Sequence, residues 1–399
     1  MDGGGVRGAQ RLVTSHRLVA EQAEFDALCE ELADAPRYAV DTEFHRERTY
    51  LPQVAVVQLA WDGQVAVVDA LSVELEPLAA ILQGSATAVL HAADQDLEVL
   101  GLSCGTIPAR LFDTQVAAGF LGMSSVSLSS LCEQLIGRPL PKSDRLTDWL
   151  ARPLTQSQLD YAAADVAHLF ELHDVLLERL ERLERVAWVE DECDELRVRA
   201  RGPRDPDDAW QRIKEARSLR GQRLAVARAV AAWRERRAAA LNQPTRFIMS
   251  DLAVVAIAER MPRNARELAS VRGVDERLAK GERGADLLEV VRLGAEAAPP
   301  ERTTDATRQL ERRLRPAVTL ASAWVSQLAR DCDLDPALVA TRADIEAFLR
   351  GDPDARLRHG WRADFAGEAI RQLVDGEAAV AFERDGTLAL EQRSRQPLD

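Results

Sequence analysis

Asp41 and Glu43 stand two apart in the apolar segment YAVDTEF (38–44). In a strand, whose side chains alternate, both carboxylates project from the same face of a sheet. Acids held side by side repel unless a cation or a shared proton separates them. A solvated strand end also tolerates D-x-E, so the pair alone leaves both readings open. Asp94 and Asp96 follow in HAADQDLEVL (91–100), at a strand-to-helix turn where an N-cap aspartate is expected. One of the two serves as that cap, whereas Asp96, nearer the helix, is able to turn toward 38–44. In DYAAADVAHLF (160–170), Tyr161 and Asp165 are four apart on a helix, hence on one face, with three alanines between them. In isolation Tyr161, one of three tyrosines, reads as a half-buried packing aromatic.

The elements that must position these residues alternate between two periods. Residues 38–44, 54–61, 65–70 and 88–92 are β-branched-rich runs of strand length, and Asp62-Gly63 marks a hairpin between the second and third. Helical periodicity follows at 74–82, 95–101, 127–136 and 155–185. This order predicts a mixed sheet flanked by helices. The charge-dense stretch 188–210, punctuated by Gly202-Pro203 and Asp205-Pro206, reads as a linker. Helices without a convincing strand then follow at 217–241, 250–260, 264–270 and 276–294. A second linker falls at 297–306, and another helical unit runs from about 310 to 376. Its segment 341–370 weakly echoes 250–274, each an N-capped helix, a proline-containing break and a further helix. The segment 379–390 is suited to a minor hairpin.

The chain has 399 residues and a formal net charge of −14, unevenly spread. Residues 1–195 carry 14 basic and 33 acidic side chains, and no Lys or Arg occurs between Arg48 and Arg110. That balance argues against a simple basic protein that coats nucleic acid. Five cysteines without a C-x-x-C pair exclude a zinc framework or a disulfide scaffold and suggest reduced thiols in a cytoplasmic protein. The start MDGGGVRGAQ lacks the apolar core of a secretory signal, and no apolar run is long enough for a membrane span.

Taken together, D-x-E, then D, then Y-x-x-x-D resemble the ribonuclease D family, in the tyrosine-containing subgroup of the DEDD exonucleases. The surrounding text agrees: VDTEFHRERTYLPQVAVVQLAWDG (40–63), HAADQDLEVL and TDWLARPLTQSQLDYAAADV (147–166). The likeness covers about residues 17–296, and the last hundred residues more loosely match a second copy of the family's helical HRDC module. The resemblance implies an α/β ribonuclease H-like exonuclease domain followed by two all-α HRDC-like bundles. The expected boundaries are a disordered tail at 1–15, the exonuclease domain at 16–190, a linker at 191–213 and an HRDC domain at 214–297. A linker at 298–309, a second bundle at 310–385 and a tail at 386–399 complete the set.

By that resemblance Asp41, Glu43, Asp96 and Asp165 hold two divalent cations, Mg²⁺ or Mn²⁺, with Asp41 bridging. Hard cations favour such oxygen ligands, and a pair of them suits phosphodiester hydrolysis. Tyr161 then orients the attacking water, since a phenol with an ordinary pKa of about 10 is a poor base at neutral pH. The implied activity is 3′→5′ trimming of RNA, such as the 3′ trailers of tRNA precursors, to nucleoside 5′-monophosphates by a monomer. A DNA exonuclease and a non-catalytic RNA-binding scaffold are the alternatives. Phe44, His45, Arg46 and Trp149 are candidate contacts to the terminal nucleotide, although Phe44 also suits core packing and Trp149 suits it better than stacking.

A metal site does not grip a long substrate, so cationic surface is needed elsewhere. Residues 196–240 supply 13 basic against 5 acidic side chains. Arg234, Arg236, Arg237 and Arg246 are the candidate RNA contacts there. Related HRDC units often read G-V-G at a phosphate-approaching turn, but this chain reads Gly273-Val274-Asp275. The acid disfavours direct phosphate binding at that turn.

Overall fold

The computed structural model describes residues 15–140, 147–199, 201–202, 205–299 and 305–394. The expected tail before residue 15 and much of the 298–309 linker lie outside them. Two compact units emerge. The first takes the described residues of Met1–Glu43, Ala55–Arg199 and Thr304–Asp399, the second those of Phe44–Val54 and Ala200–Thr303.

The first unit is built on a six-stranded mixed sheet. Its strands are β1 (Arg17–Val19), β2 (Arg37–His45), β3 (Gln53–Trp61), β4 (Gln64–Asp69), β5 (Thr87–Leu90) and β6 (Leu111–Asp113), in the order β1-β4-β3-β2-β5-β6. β1 pairs parallel with β4, β3 antiparallel with β4, and β5 parallel with both β2 and β6. The β3–β4 hairpin turns at Asp62 and Gly63 with φ of 44° and 78°, the pair of positive values that a two-residue I′ turn requires. Helices α1 (Gln22–Ala33), α2 (Leu78–Gln83), α3 (Asp94–Cys104), α4 (Thr114–Gly119), α5 (Leu128–Ile136), α6 (Gln156–Ala167), α7 (Leu169–Arg182) and α8 (Val186–Val198) complete this part. Expected as one stretch, 155–185 is two helices broken at His168.

The helices α1 and α8 also depart from the sequence reading. α1 precedes the expected elements and buries Phe25, Leu28, Cys29 and Leu32, a helical stripe. α8 occupies 191–198, expected as linker: Val189, Cys193 and Leu196 form a buried stripe inside charged text.

The C-terminal helices α15 (Asp305–Asp331), α16 (Pro336–Val339), α17 (Arg342–Leu349), α18 (Gly360–Arg362) and α19 (Glu368–Val374) belong to this same unit. They are built onto α8 and the end of α4. Trp361 stacks on Trp188 at 4.8 Å and meets Phe120 edge-on at 5.3 Å. The Arg185 guanidinium donates to Phe120 O, Cys332 O and Asp333 O, while Asp335 N donates to Gly119 O. Beneath them Arg362, 2% exposed, pairs with the buried Glu192, and Arg356 bridges Glu192 and Glu195. The C-terminal segment is not wholly helical. β7 (Ala378–Phe382) and β8 (Leu388–Gln392) pair antiparallel as the hairpin expected at 379–390, and the expected boundary at 385/386 falls inside it.

The second unit packs α9 (Gly221–Ala240), α10 (Thr245–Ile248), α11 (Asp251–Arg260), α12 (Ala265–Ala269), α13 (Glu276–Ala279) and α14 (Gly281–Glu296) around Leu224, Val230, Val254, Ile257 and Leu287. A 3-10 turn over Pro206–Arg212 and the arm Phe44–Val54 join it. The Tyr50 hydroxyl donates to Glu235 at 2.9 Å. No helix among the described residues is long and apolar enough to cross a membrane.

Candidate active site

β2 carries Asp41 and Glu43 through the centre of the sheet, and α6 brings Asp165 to them. One carboxylate oxygen from each of the three lies within 4.8 Å of the others. Capping fixes α6 in place: Thr155 accepts from Gln158 N and the Gln158 side chain accepts from Thr155 N, a full capping box.

Asp96 is not in that tight trio. It lies in the first turn of α3, 7% exposed, and its Oδ1 accepts from Thr42 N at 3.1 Å and Thr42 Oγ1 at 2.6 Å. Its charge nonetheless reaches Asp41. Burial first, and then Asp96, Asp165 and Glu43, drive the Asp41 carboxyl well above the usual carboxylate range. Burial likewise pushes Asp96 up to about 7, against the pull of the Thr42 donors. Acids with such a cost of ionisation are relieved by a counter-cation. The trio offers carboxylate oxygens alone, with no histidine or thiol, which suits hard ions such as Mg²⁺ or Mn²⁺.

Neither Asp94 nor Asp96 caps α3. The N-cap is Ala93, without a side-chain bond, and Asp94 instead faces Arg199 at 3.5 Å. The Asp113 carboxylate takes the Ala92 and Ala93 N–H groups. His91 meets Thr114 Oγ1 at 2.9 Å, and burial holds its pKa below the usual value.

Tyr161 shares its helix face with Asp165, and its ring leans on Trp149 at 6.0 Å. Trp149 is 5% exposed, so it packs. Its loop is tied down by Arg152, whose Nε and Nη2 fork onto Asp69 at 2.7 and 2.6 Å while Nη1 donates to Trp149 O. Thr42, Asp113 and Arg152 were not legible as site residues, because each acts through a partner more than 20 positions away or through a backbone group.

Phe44, His45 and Arg46 lie in the second unit's arm. Arg46 covers the Phe44 ring at 5.5 Å, and His45 Nε2 accepts from Arg48 N. Of the four helical arginines, Arg234 is corrected by the structure. It is 5% exposed, with its guanidinium bonded to Met249 O and Asp251, so it is a core residue and not a surface contact. Arg236 pairs with Asp207, Arg237 lies over Trp233, and Arg246 donates to Glu47 O. Asp275, which replaces the second glycine of the HRDC turn, N-caps α13 by accepting from Leu278 N at 2.6 Å.

Comparison with known proteins matches residues 16–181 to a 3′-5′ exonuclease family and 223–291 to the HRDC domain. The chain is 38% identical over 378 residues to a ribonuclease D of Gluconacetobacter diazotrophicus, covering 93% of this chain and 95% of that one. It is 39% identical over 365 residues to the ribonuclease D of Acidiphilium cryptum, covering 89% and 92%. Among solved structures, Escherichia coli RNase D, an exoribonuclease involved in structured RNA processing, superposes with a TM-score of 0.80 at 30% identity. That match covers 90% of this chain and 99% of that one.

Proposed function

The chain belongs to the ribonuclease D family of 3′-5′ exoribonucleases, and on that premise we propose that it trims the 3′ ends of structured RNAs such as tRNA precursors. The products are nucleoside 5′-monophosphates. The observation that carries this reading is the convergence of Asp41, Glu43 and Asp165 within 4.8 Å, with Asp96 adding its charge to Asp41.

Asp41, Glu43, Asp96 and Asp165 would hold two divalent cations, Mg²⁺ or Mn²⁺. When bound, these supply activation of water and neutralisation of the charge growing on the leaving 3′ oxygen. Asp41, on the central strand, is the acid on which the charges of Asp96, Asp165 and Glu43 all bear, and it would contribute to holding the ions. The Tyr161 hydroxyl orients the attacking water; as a neutral phenol it positions and does not deprotonate. Trp149 holds the tyrosine ring by packing. The exposed Arg236 and Arg246 and the half-buried Arg237 supply cations for phosphate contact, whereas Phe44, His45 and Arg46 approach the last nucleotide.

The test is release of nucleotides from the 3′ end of a labelled single-stranded RNA with Mg²⁺ or Mn²⁺, with a DNA strand of the same sequence in parallel. Asp41→Asn should abolish release. Undiminished activity in that variant sinks the reading, and faster loss from DNA would move the chain to deoxyribonuclease work.

A further inference from the structure

Asp113 ends β6 and is 2% exposed, and its carboxylate serves two helices at once. Oδ1 accepts from Gln115 N at 2.8 Å and Val116 N at 3.3 Å, which caps α4. The same carboxylate accepts from Ala92 N at 3.1 Å and Ala93 N at 2.8 Å. These last two form the turn from β5 into α3. α3 has no side-chain cap of its own, so the acid that steadies its entry comes from the neighbouring strand. The parallel register Leu90↔Asp113 is what brings it there.

That turn needs holding. Ala92 has a φ of 58°, the left-handed region, which costs a residue with a Cβ roughly 1–2 kcal/mol. A second brace lies beside it: Thr114 Oγ1 donates to Leu90 O at 3.0 Å and stands 2.9 Å from His91 Nδ1. Three residues beyond Ala93, in the first turn of α3, comes Asp96, whose carboxylate meets Thr42 on β2.

We propose that Asp113, seconded by Thr114, is a positioning residue for the metal centre: it locks the strained Ala92 turn so that α3 presents Asp96 to β2 beside Asp41. This rests on the reading of these acids as cation ligands. An asparagine cannot fully replace Asp113: even with its oxygen in the place of Oδ1, where three N–H groups are accepted, its amide NH₂ would turn a donor toward the Ala93 N–H. The turn would then relax away from the left-handed conformation and carry Asp96 with it.

The test is Mn²⁺ binding to the full chain without RNA, followed by calorimetry well below each variant's melting temperature. Asp113→Asn should weaken binding about 10–100-fold, the range for residues that orient metal ligands. Ala92→Gly alone should bind as the parent does. The double variant should recover most of the loss, since glycine adopts that φ without strain. Should Asp113→Asn fail to fold, Thr114→Val removes only the second brace and should still weaken Mn²⁺ binding by a smaller factor. A lowered melting temperature with unchanged Mn²⁺ affinity in whichever of these variants folds overturns the proposal, as does a double variant no better than Asp113→Asn. Normal binding by Asp41→Asn would instead overturn the cation reading on which the proposal rests.

Discussion

Asp96 Oδ1 accepts two hydrogen bonds from a single residue, Thr42, at 2.6 Å from its hydroxyl and 3.1 Å from its backbone nitrogen. Thr42 is the residue between Asp41 and Glu43. The β2–β5 register runs Arg37–Ala39 against Thr87–Val89, three residues short of it. Past that ladder the Thr42 N–H finds a side chain in place of a strand. One acid of the site thus completes the hydrogen bonding of the strand that carries two others.

Thr42→Val removes the hydroxyl donor and keeps the shape. Hydrogen bonds to a carboxylate favour its ionised form, and one is worth about 1.5–3 kcal/mol. The acid limb of the activity profile should therefore move up by roughly one pH unit, with Thr42→Ser restoring it. An unmoved limb, measured by single-turnover hydrolysis across pH, rules out this coupling.

The raised acids make the metal-free protein pH-sensitive. Burial pushes Asp96 up to about 7 and Asp41 well above the usual carboxylate range, so at these two acids the folded chain binds more protons than the unfolded chain. The contribution of these two acids to stability in EDTA is then full below about pH 4 and is lost as pH rises toward 7. Mg²⁺ or Mn²⁺ should raise Tm more at about pH 8 than at about pH 6, because only the ionised site binds them. A metal-induced shift that ignores pH would contradict it.

Tyr161→Phe keeps the ring against Trp149 and loses only the hydroxyl. Turnover should drop about 10–100-fold, or 1.4–2.8 kcal/mol of barrier, with Mn²⁺ affinity and Tm nearly unchanged. Parent-like single-turnover rates would remove the hydroxyl from the reaction.

The arginines of α9 should separate cleanly. Arg237→Gln should weaken RNA binding across sequences and reduce the slope of log affinity against log salt by about one contact. Arg234→Gln removes the guanidinium from the Met249 carbonyl and from the exposed Asp251 carboxylate and should cost about 1–3 kcal/mol of fold stability. Equal salt slopes in Arg237→Gln and the parent would take α9 off the RNA path.

Burial of Arg362 against Glu192 predicts that the C-terminal helices are not a dispensable appendage. Arg362→Ala leaves the buried Glu192 carboxylate with Arg356 as its remaining ion-pair partner and should cost about 1–3 kcal/mol. Urea unfolding read at the Trp188–Trp361 pair would show it; an unchanged midpoint would mean that the pair adds nothing.

What the sequence by itself determined was whatever is written in short-range spacing. Asp41 and Glu43 share a strand face, Tyr161 and Asp165 share a helix face, and Asp62-Gly63 turns a hairpin, because periods of 2 and 3.6 and a two-residue turn are local properties. The HRDC match and the exonuclease order are legible for the same reason. Tertiary structure alone decided what depends on partners distant in the chain. Charge density concealed α8, whose stripe of Val189, Cys193 and Leu196 becomes meaningful only against the sheet and the C-terminal helices. Arg234 counts as a surface cation in any tally of charge, and only the packing of α9 on α11 turns it inward. Asp96 was visible, but its bond to Thr42 was not. Nor was the anchoring of its helix by Asp113, since a carboxylate can cap any N–H that a neighbouring strand brings within reach.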